Sequence, residues 1–488
     1  MQTRSNILDL RNSLVVLGSG PNALATITGL LGSKKKIVVV DAGLHSQMPL
    51  SEKEQKPKLL GLPPKLRIKE NYLRYKDFEK FSPTEQIGFK AVSSLAFGGL
   101  SNFWGGGLIP YGAADLNDFP YSLDEIWDSY EAVFKILTGK RIPADLTALI
   151  KGNYESVRAD TALTMIDTLL AVDTQSLPLH QNCESSTCCV GCFNCNFGIF
   201  NSSNDISRLI AEGQIDCFDG YFISNIEKVK NYYAIYCSNL NNGTITKILA
   251  ETIFCSLGTL STTRILLDML EVTSPVPLLT TPSARFFALS SPLTMSDQRS
   301  STVAGKTFLF KDEYQLTANI FPITPNLLET LVGIRVTKIL LNIFGARFFT
   351  RLCVGNMYFP SKESHNLAEV KNSRLKLTGM VTPCLKQNFD DNLKKLKNLT
   401  KEFGYRILPW GSKLLFPGED IHYGGTFPMR ETPNRFQCDK KGLLYGQDGF
   451  YITDASSLPL MTAKPHTFNA MAQSHHIGKA FKLGESNN

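Results

Sequence analysis

The sequence predicts an α/β protein: a doubly wound parallel sheet assembled from segments far apart in the chain, plus a second domain with a β-sheet and helices. Three observations predict it. Near the start, Leu14-Val15-Val16-Leu17-Gly18-Ser19-Gly20-Pro21-Asn22-Ala23 reads as a buried strand, a tight glycine turn and the first turn of a helix. Near the end, Tyr451-Ile452-Thr453-Asp454-Ala455-Ser456 precedes His466 and a long apolar-patterned helix. Finally, 488 residues are too many for one simple core, so two domains are expected.

Residues 13–43 form the first strand-helix-strand unit. Its second strand, Ile37-Val38-Val39-Val40, is a short, wholly apolar run suited to a buried parallel strand, and Asp41 ends it. Residues 50–90 are polar and rich in Lys and Pro, and read as an extended excursion. The stretch from Phe97 to Gly107 is the most glycine-dense in the chain. A helix is expected over 117–138, opened by the turn residues Asp118, Pro120 and Ser122. After a cysteine-rich stretch at 183–195 comes a helix from Asp205 to Gly213. A β-meander follows from Cys217 to Glu251, with Asn241-Asn242-Gly243 as its clearest turn. Thr252 to Gly258 returns to a buried strand running into a glycine, and Ser261 to Leu270 is expected to be helical. Residues 300–415 mix strands and helices. The expected division is 1–115, 196–290 and 420–488 in the first domain, and 116–195 and 291–419 in the second.

Composition excludes several classes. Hydrophobic residues make up 43% and charged residues 19%, as in ordinary globular proteins. A net charge of +7 without a dense Lys/Arg block argues against nucleic-acid binding; Lys34-Lys35-Lys36 suits a solvated turn. No run of 18 uncharged apolar residues occurs, so no spanning helix is expected. Met1 to Arg11 is polar and lacks a secretory pattern, and the eleven cysteines fit a reducing compartment, so a cytoplasmic location is expected. From Leu327 to Val354 the chain is apolar with Arg335, Lys338, Arg347 and Arg351 interspersed, and Gly345 is expected to divide it into two helices. Such a segment can lie on an anionic membrane, but helices of the second domain are the preferred reading.

Gly18-Ser19-Gly20-Pro21-Asn22-Ala23 fits G-x-G-x-x-A. Gly18 permits the turn, Gly20 lets backbone approach a pyrophosphate, and Ala23 lets the helix pack closely on the strand. The helix N-terminus offers N–H groups and its positive dipole end to phosphates. An acid is needed some 20 residues on for a ribose hydroxyl, and Asp41 stands there. This is a Rossmann-like dinucleotide-binding unit.

Four regions resemble the glucose–methanol–choline (GMC) oxidoreductases, FAD-dependent alcohol oxidisers. They are Gly18 to Gly43, Phe97 to Tyr111, Cys255-Ser256-Leu257-Gly258-Thr259-Leu260-Ser261-Thr262, and a carboxyl-terminal block. That block joins His422-Tyr423-Gly424-Gly425-Thr426-Phe427-Pro428-Met429 to Asp454 through Gly478. The matches cover about a third of the chain, in the family's order. The resemblance implies FAD as cofactor. Its contacts would be Gly18, Gly20, Pro21, Asn22, Ala23 and Asp41, then Gly99, Ser101, Asn102, Trp104 and Gly105, and finally Gly258, Asp454, Ala455, His466 and Thr467. Many members have an Asn where Trp104 falls.

Alcohol oxidation moves a hydride from carbon to flavin N5 and a proton from the hydroxyl to a base. The resemblance carries the proton-handling role to His422 and His466. A helix starting near Thr467 would stabilise negative charge on the reduced flavin and disfavour a protonated His466. His475 and His476 read as structural or exposed. A histidine base would give the pH profile a limb near ~6.5. Cys189, Cys192 and Cys195 have the spacing of iron–sulfur or zinc ligands, but the four-cysteine ferredoxin run is incomplete. Reduced thiols without a cluster are the expected state. The substrate expected is a small-molecule alcohol, a sugar, polyol or sugar-linked hydroxyl. The motifs name no electron acceptor. A noncatalytic flavin-binding protein and a flavin dehydrogenase of another class, such as amine oxidation, are the alternatives.

Overall fold

The computed structural model describes residues 6–44, 75–151, 163–167, 169–171, 200–291, 305–310, 316–323 and 351–486, and helical positions 335, 339, 342 and 343. Strands and helices are numbered along the chain. The first sheet is parallel throughout, in the order β21 (Phe450–Ile452), β10 (Thr252–Cys255), β2 (Ser13–Leu17), β3 (Lys36–Val40), β6 (Asp216–Phe218). It draws on three separate stretches of the chain, and Leu14–Leu17 and Ile37–Val40 are buried in it, as coverage of both faces requires.

Helix α1 (Pro21–Leu30) leaves the end of β2 with Pro at its first position, where the missing N–H costs nothing. It packs on the carboxyl-terminal helix α8 (Thr467–Ser486), which holds the two ends of the chain together. Two glycines make that crossing close. A Cβ on Gly29 would lie 2.5 Å from the His475 carbonyl oxygen, and one on Gly478 would lie 2.6 Å from that of Thr26. Helix α3 (Leu123–Thr138) covers the other side of α8, opened by a capping box between Ser122 and Glu125 and closed by Gly139.

A second sheet, β1 (Asn6–Asp9), β9 (Ile245–Ala250), β8 (Tyr232–Asn239) and β7 (Tyr221–Val229), contains the expected meander. Helices α2 (Tyr75–Phe81), α4 (Ala144–Ile150), α5 (Ser202–Ala211) and α6 (Thr259–Met269) complete the described helices on this side. A third sheet runs β20 (Tyr423–Gly424), β11 (Val276–Thr280), β16 (Asn366–Lys371), β17 (Arg374–Thr378), β4 (Thr84–Ile87).

The fourth sheet runs β18 (Tyr405–Ile407), β12 (Ser283–Ser290), β15 (Leu352–Tyr358), β14 (Thr317–Pro322), β13 (Lys306–Phe310), β5 (Leu163–Asp167), with β19 (Lys413–Leu414) beside β12. One face carries Ala284, Phe286, Ile320 and Met357 and packs under helix α7 (Pro383–Leu399) through Leu385, Phe389 and Leu396. The alternating positions Arg285, Asn319, Asn356 and Tyr358 are half-buried on the opposite face.

The strand partners differ from the expected division in two places. Strand β12, assigned by sequence to the first domain, hydrogen-bonds within the fourth sheet. Strands β16 and β17, assigned to the second, pair with β11 and β4, and their Ala368, Leu375 and Leu377 join the core of the parallel sheet. Alternating patterns set which face is buried, not which strand is the neighbour. Residues 352–354, expected to be helical, open strand β15. The rest of 327–354 lies outside the described residues apart from residue 351 and helical positions 335, 339, 342 and 343. Among the described residues no helix is long and apolar enough to cross a membrane.

Candidate active site

A cleft runs from the Gly18–Asn22 turn to His466 and Thr467. The two glycines of the turn have different physical reasons. Gly18 has φ +103°, and its Cα faces the Ser256 backbone so closely that a Cβ would overlap the carbonyl oxygen. That glycine is required by the fold. Gly20 has φ −69° and ψ 179°, which any residue adopts, and a Cβ there would meet nothing within 4 Å. Its missing side chain leaves space in the cleft.

Helix α1 has no side-chain cap at its N-terminus, and Pro21 and Asn22 line the cleft. The Asn22 Nδ2 donor is buried without a partner. Ala23 is wholly buried behind the turn and packs in the core. Asp41 lies on the cleft at the end of β3, its Oδ1 accepting from the Gly43 N–H at 2.6 Å. Burial pushes its carboxyl up to about 6, against the opposing pull of hydrogen bonds from Gly43 and Ser19.

The glycine-dense loop docks on this turn, the Gly98 N–H donating to Ser19 Oγ at 2.8 Å. Gly99, Ser101 and Trp104 line the cleft. Trp104 is held by its Nε1–H, which donates to the Phe200 carbonyl at 2.8 Å. Asn102 and Gly105 fall away from the cleft walls. Asn102 Nδ2 donates to the carbonyls of Phe97 and Gly99, and its Oδ1 accepts from Asn201 Nδ2, so this side chain shapes the loop. Ser101 Oγ donates to the Gly98 carbonyl and accepts from the Ser202 N–H.

Gly258, Asp454 and Ala455 form another part of the wall. Asp454 is a buried hub: Oδ2 accepts from the partly buried Gly258 N–H at 2.9 Å and from Thr262 Oγ1 at 2.5 Å, and Oδ1 accepts from the Ser456 N–H at 2.9 Å. It ties the carboxyl-terminal block to the start of α6.

The two histidines meet. Their ring centroids lie 5.0 Å apart, edge to face, although 44 positions separate them in sequence. His466 immediately precedes α8 and lines the cleft beside Thr467. Both Nδ1 atoms are buried without partners. Burial lowers His422 to about 4, and burial and the neighbouring His422 hold His466 well below the ordinary histidine value. Both rings are therefore held neutral to well below the ordinary value of ~6.5. By contrast, His475 bonds Ser129 Oγ at 3.0 Å and His476 packs on Tyr121, so both are structural.

Several neighbours escape sequence reasoning. Tyr358, from β15, stacks on the His422 ring at 5.5 Å. Ile421 has φ +64°, a strained position for a β-branched residue, at the cleft wall immediately before His422. Asp420 Oδ1 accepts from the His422 N–H at 3.2 Å, and burial raises its carboxyl to about 8. Arg264, buried on the cleft, donates to the carbonyls of Ile223 and Ser224, with its Nε left without a partner. The apolar context of α6 gives no signal for it. Cys189, Cys192 and Cys195 lie outside the described residues.

No protein-family model matches the chain, and no curated protein matches it in sequence. Its fold is shared. The chain is similar in structure to pyridoxine 4-oxidase from Mesorbium loti at 12% identity, with 98% of this chain and 99% of that one covered and a TM-score of 0.59. The likeness extends from end to end and includes both the parallel sheet and the second sheet-and-helix unit.

Proposed function

We propose that this chain binds FAD in the cleft and oxidises the CH–OH group of a small-molecule alcohol. The observation that carries the reading is the His422–His466 pair, 5.0 Å apart, with His466 on the wall of the cleft that begins at the G-x-G-x-x-A turn. The GMC-like motifs and the fold shared with an oxidase acting on pyridoxine support it.

The residues fit the cofactor. Gly20 leaves free space where backbone must approach a pyrophosphate, and Asn22 Nδ2, Arg264 Nε and His466 Nδ1 are orphaned polar atoms on residues that line the cleft. Gly18, Gly20, Pro21 and Asn22 would hold the phosphates, and Asp41 a ribose hydroxyl. Gly99, Ser101, Trp104, Gly258, Ala455 and Thr467 would line the rest. When bound, the flavin supplies a hydride acceptor.

His466 takes the hydroxyl proton. His466 lines the cleft, where a neutral ring nitrogen can accept that proton. The α8 N-terminus disfavours a second proton on the ring, and so does His422. His422 holds the substrate oxygen in line, itself backed by Tyr358 and fixed through its N–H by Asp420. A base kept neutral by burial works across the physiological range. Denaturing the purified protein and identifying the released flavin, then mixing the holoprotein anaerobically with an alcohol panel, tests the reading. Released FAD and flavin bleaching by an alcohol are expected; protein without FAD, or flavin that only amines bleach, would overturn it.

A further inference from the structure

We propose that the substrate carries an anionic group, a carboxylate or a phosphate monoester, and that Arg285 and Lys413 bind it. This rests on the histidine pair being the alcohol site. The observation is a row across four strands: Lys413 on β19, Arg285 on β12, Asn356 on β15 and Asn319 on β14 are direct register partners. Opposed residues on antiparallel strands share a face. Here it is the face away from α7, because Ala284, Phe286 and Met357 alternate with these residues and fill the α7 side. Tyr358 lies two positions beyond Asn356 on the same face and stacks on His422. The row therefore stands one step along the strands, roughly 7 Å between backbones, from the row that holds Tyr358. The Arg285 charge reaches the Tyr358 hydroxyl.

Two cations at opposed positions repel, and like charges there destabilise a sheet. Among the described residues neither has a carboxylate within ion-pair distance, whereas Lys376 and Lys464 each do. The same face holds three buried polar atoms without partners: Asn356 Oδ1, and Ser283 Oγ and Thr317 Oγ1 in the row of Tyr358. A neutral aliphatic alcohol would leave the half-buried Arg285 and these buried oxygens unanswered, while Lys413 is exposed. A hydroxylated anion supplies a countercharge for the Arg285 fork, which suits carboxylate and phosphate alike, and donors and acceptors for the orphaned oxygens.

The test is calorimetric binding to the holoprotein, using the pairs gluconate and glucose, and glycerol 3-phosphate and glycerol. At least one anion is expected to bind at least ~10-fold tighter than its neutral partner, and to weaken as salt is raised. Which pair responds separates carboxylate from phosphate. Arg285→Gln and Lys413→Gln should each weaken the anion by about 10-fold and leave the neutral partner unchanged, while Arg285→Lys retains part of the preference. Equal binding within both pairs, or anion binding that survives the Arg285→Gln/Lys413→Gln double variant with an unchanged melting temperature, would overturn the proposal. Binding needs no turnover. Anion binding without flavin reduction by any alcohol would therefore reject the alcohol-oxidation reading and leave the anion site standing.

Discussion

Valine at Gly20 should empty the cofactor cleft without harming the fold, whereas even alanine at Gly18 should harm the fold itself. The backbone of Gly20 is extended, with φ −69°, and an added Cβ meets nothing within 4 Å. Folding therefore gains slightly from a side chain there, by about 0.4–1 kcal/mol, as the unfolded chain loses freedom. The valine methyl groups would occupy the space a pyrophosphate needs. Losing that approach should weaken FAD by at least ~100-fold, about 2.7 kcal/mol, the worth of one or two charge-assisted hydrogen bonds. At Gly18, φ +103° and overlap with the Ser256 carbonyl should cost alanine about 3 kcal/mol or more. The assay is flavin absorbance per mole of purified protein, beside urea unfolding of the flavin-free forms. Full flavin in Gly20→Val would refute the reasoning, as would a Gly20→Ala variant destabilised as much as Gly18→Ala.

Further outcomes follow from the same geometry. The acid limb of flavin reduction should fall well below the ordinary histidine value, because burial and the neighbouring His422 lower His466 and a proton disables a base only below its pKa; a limb at about 6.5 would contradict that. Asp454→Ala should cost about 2–4 kcal/mol in denaturant unfolding, since the buried Thr262 and Ser456 donors and the partly buried Gly258 N–H lose their acceptor; a loss under about 1 kcal/mol would reject its role as a strut. Protein purified anaerobically is expected to hold flavin without iron or sulfide, and stoichiometric iron and sulfide would instead assign Cys189, Cys192 and Cys195 as ligands.

Much of the parallel sheet was legible in the sequence, for physical reasons. Buried strands are continuous apolar runs, as at Leu14–Leu17 and Ile37–Val40, and the turn between strand and helix restricts residue type at Gly18. The start of α8 at Thr467 was legible from the chain's own punctuation around His466. Three things were not. Gly18 and Gly20 look alike in sequence, and only their surroundings separate a glycine needed for packing from one that leaves space. Asp454 lines the cleft as expected of a cofactor contact, and its bonds to Gly258, Thr262 and Ser456 left no sign in the sequence. The surroundings of His422 come from non-local pairing, since Tyr358 reaches it from another sheet and the strain at Ile421 leaves no trace in residue type. The strand partners of β12, β16 and β17 were illegible for the same reason, because strand alternation carries no partner identity.

The central claim is that His466 and His422 handle the proton of an alcohol held in the cleft. Anaerobic stopped-flow reduction of the bound flavin by a productive alcohol tests it most directly, comparing wild type with His466→Ala and His422→Ala at matched flavin content. The account predicts that both variants keep their flavin, since the phosphates would be held at the distant Gly18–Asn22 turn, and that reduction slows by roughly 10²–10⁴-fold. Wild-type reduction rates in both variants would contradict it.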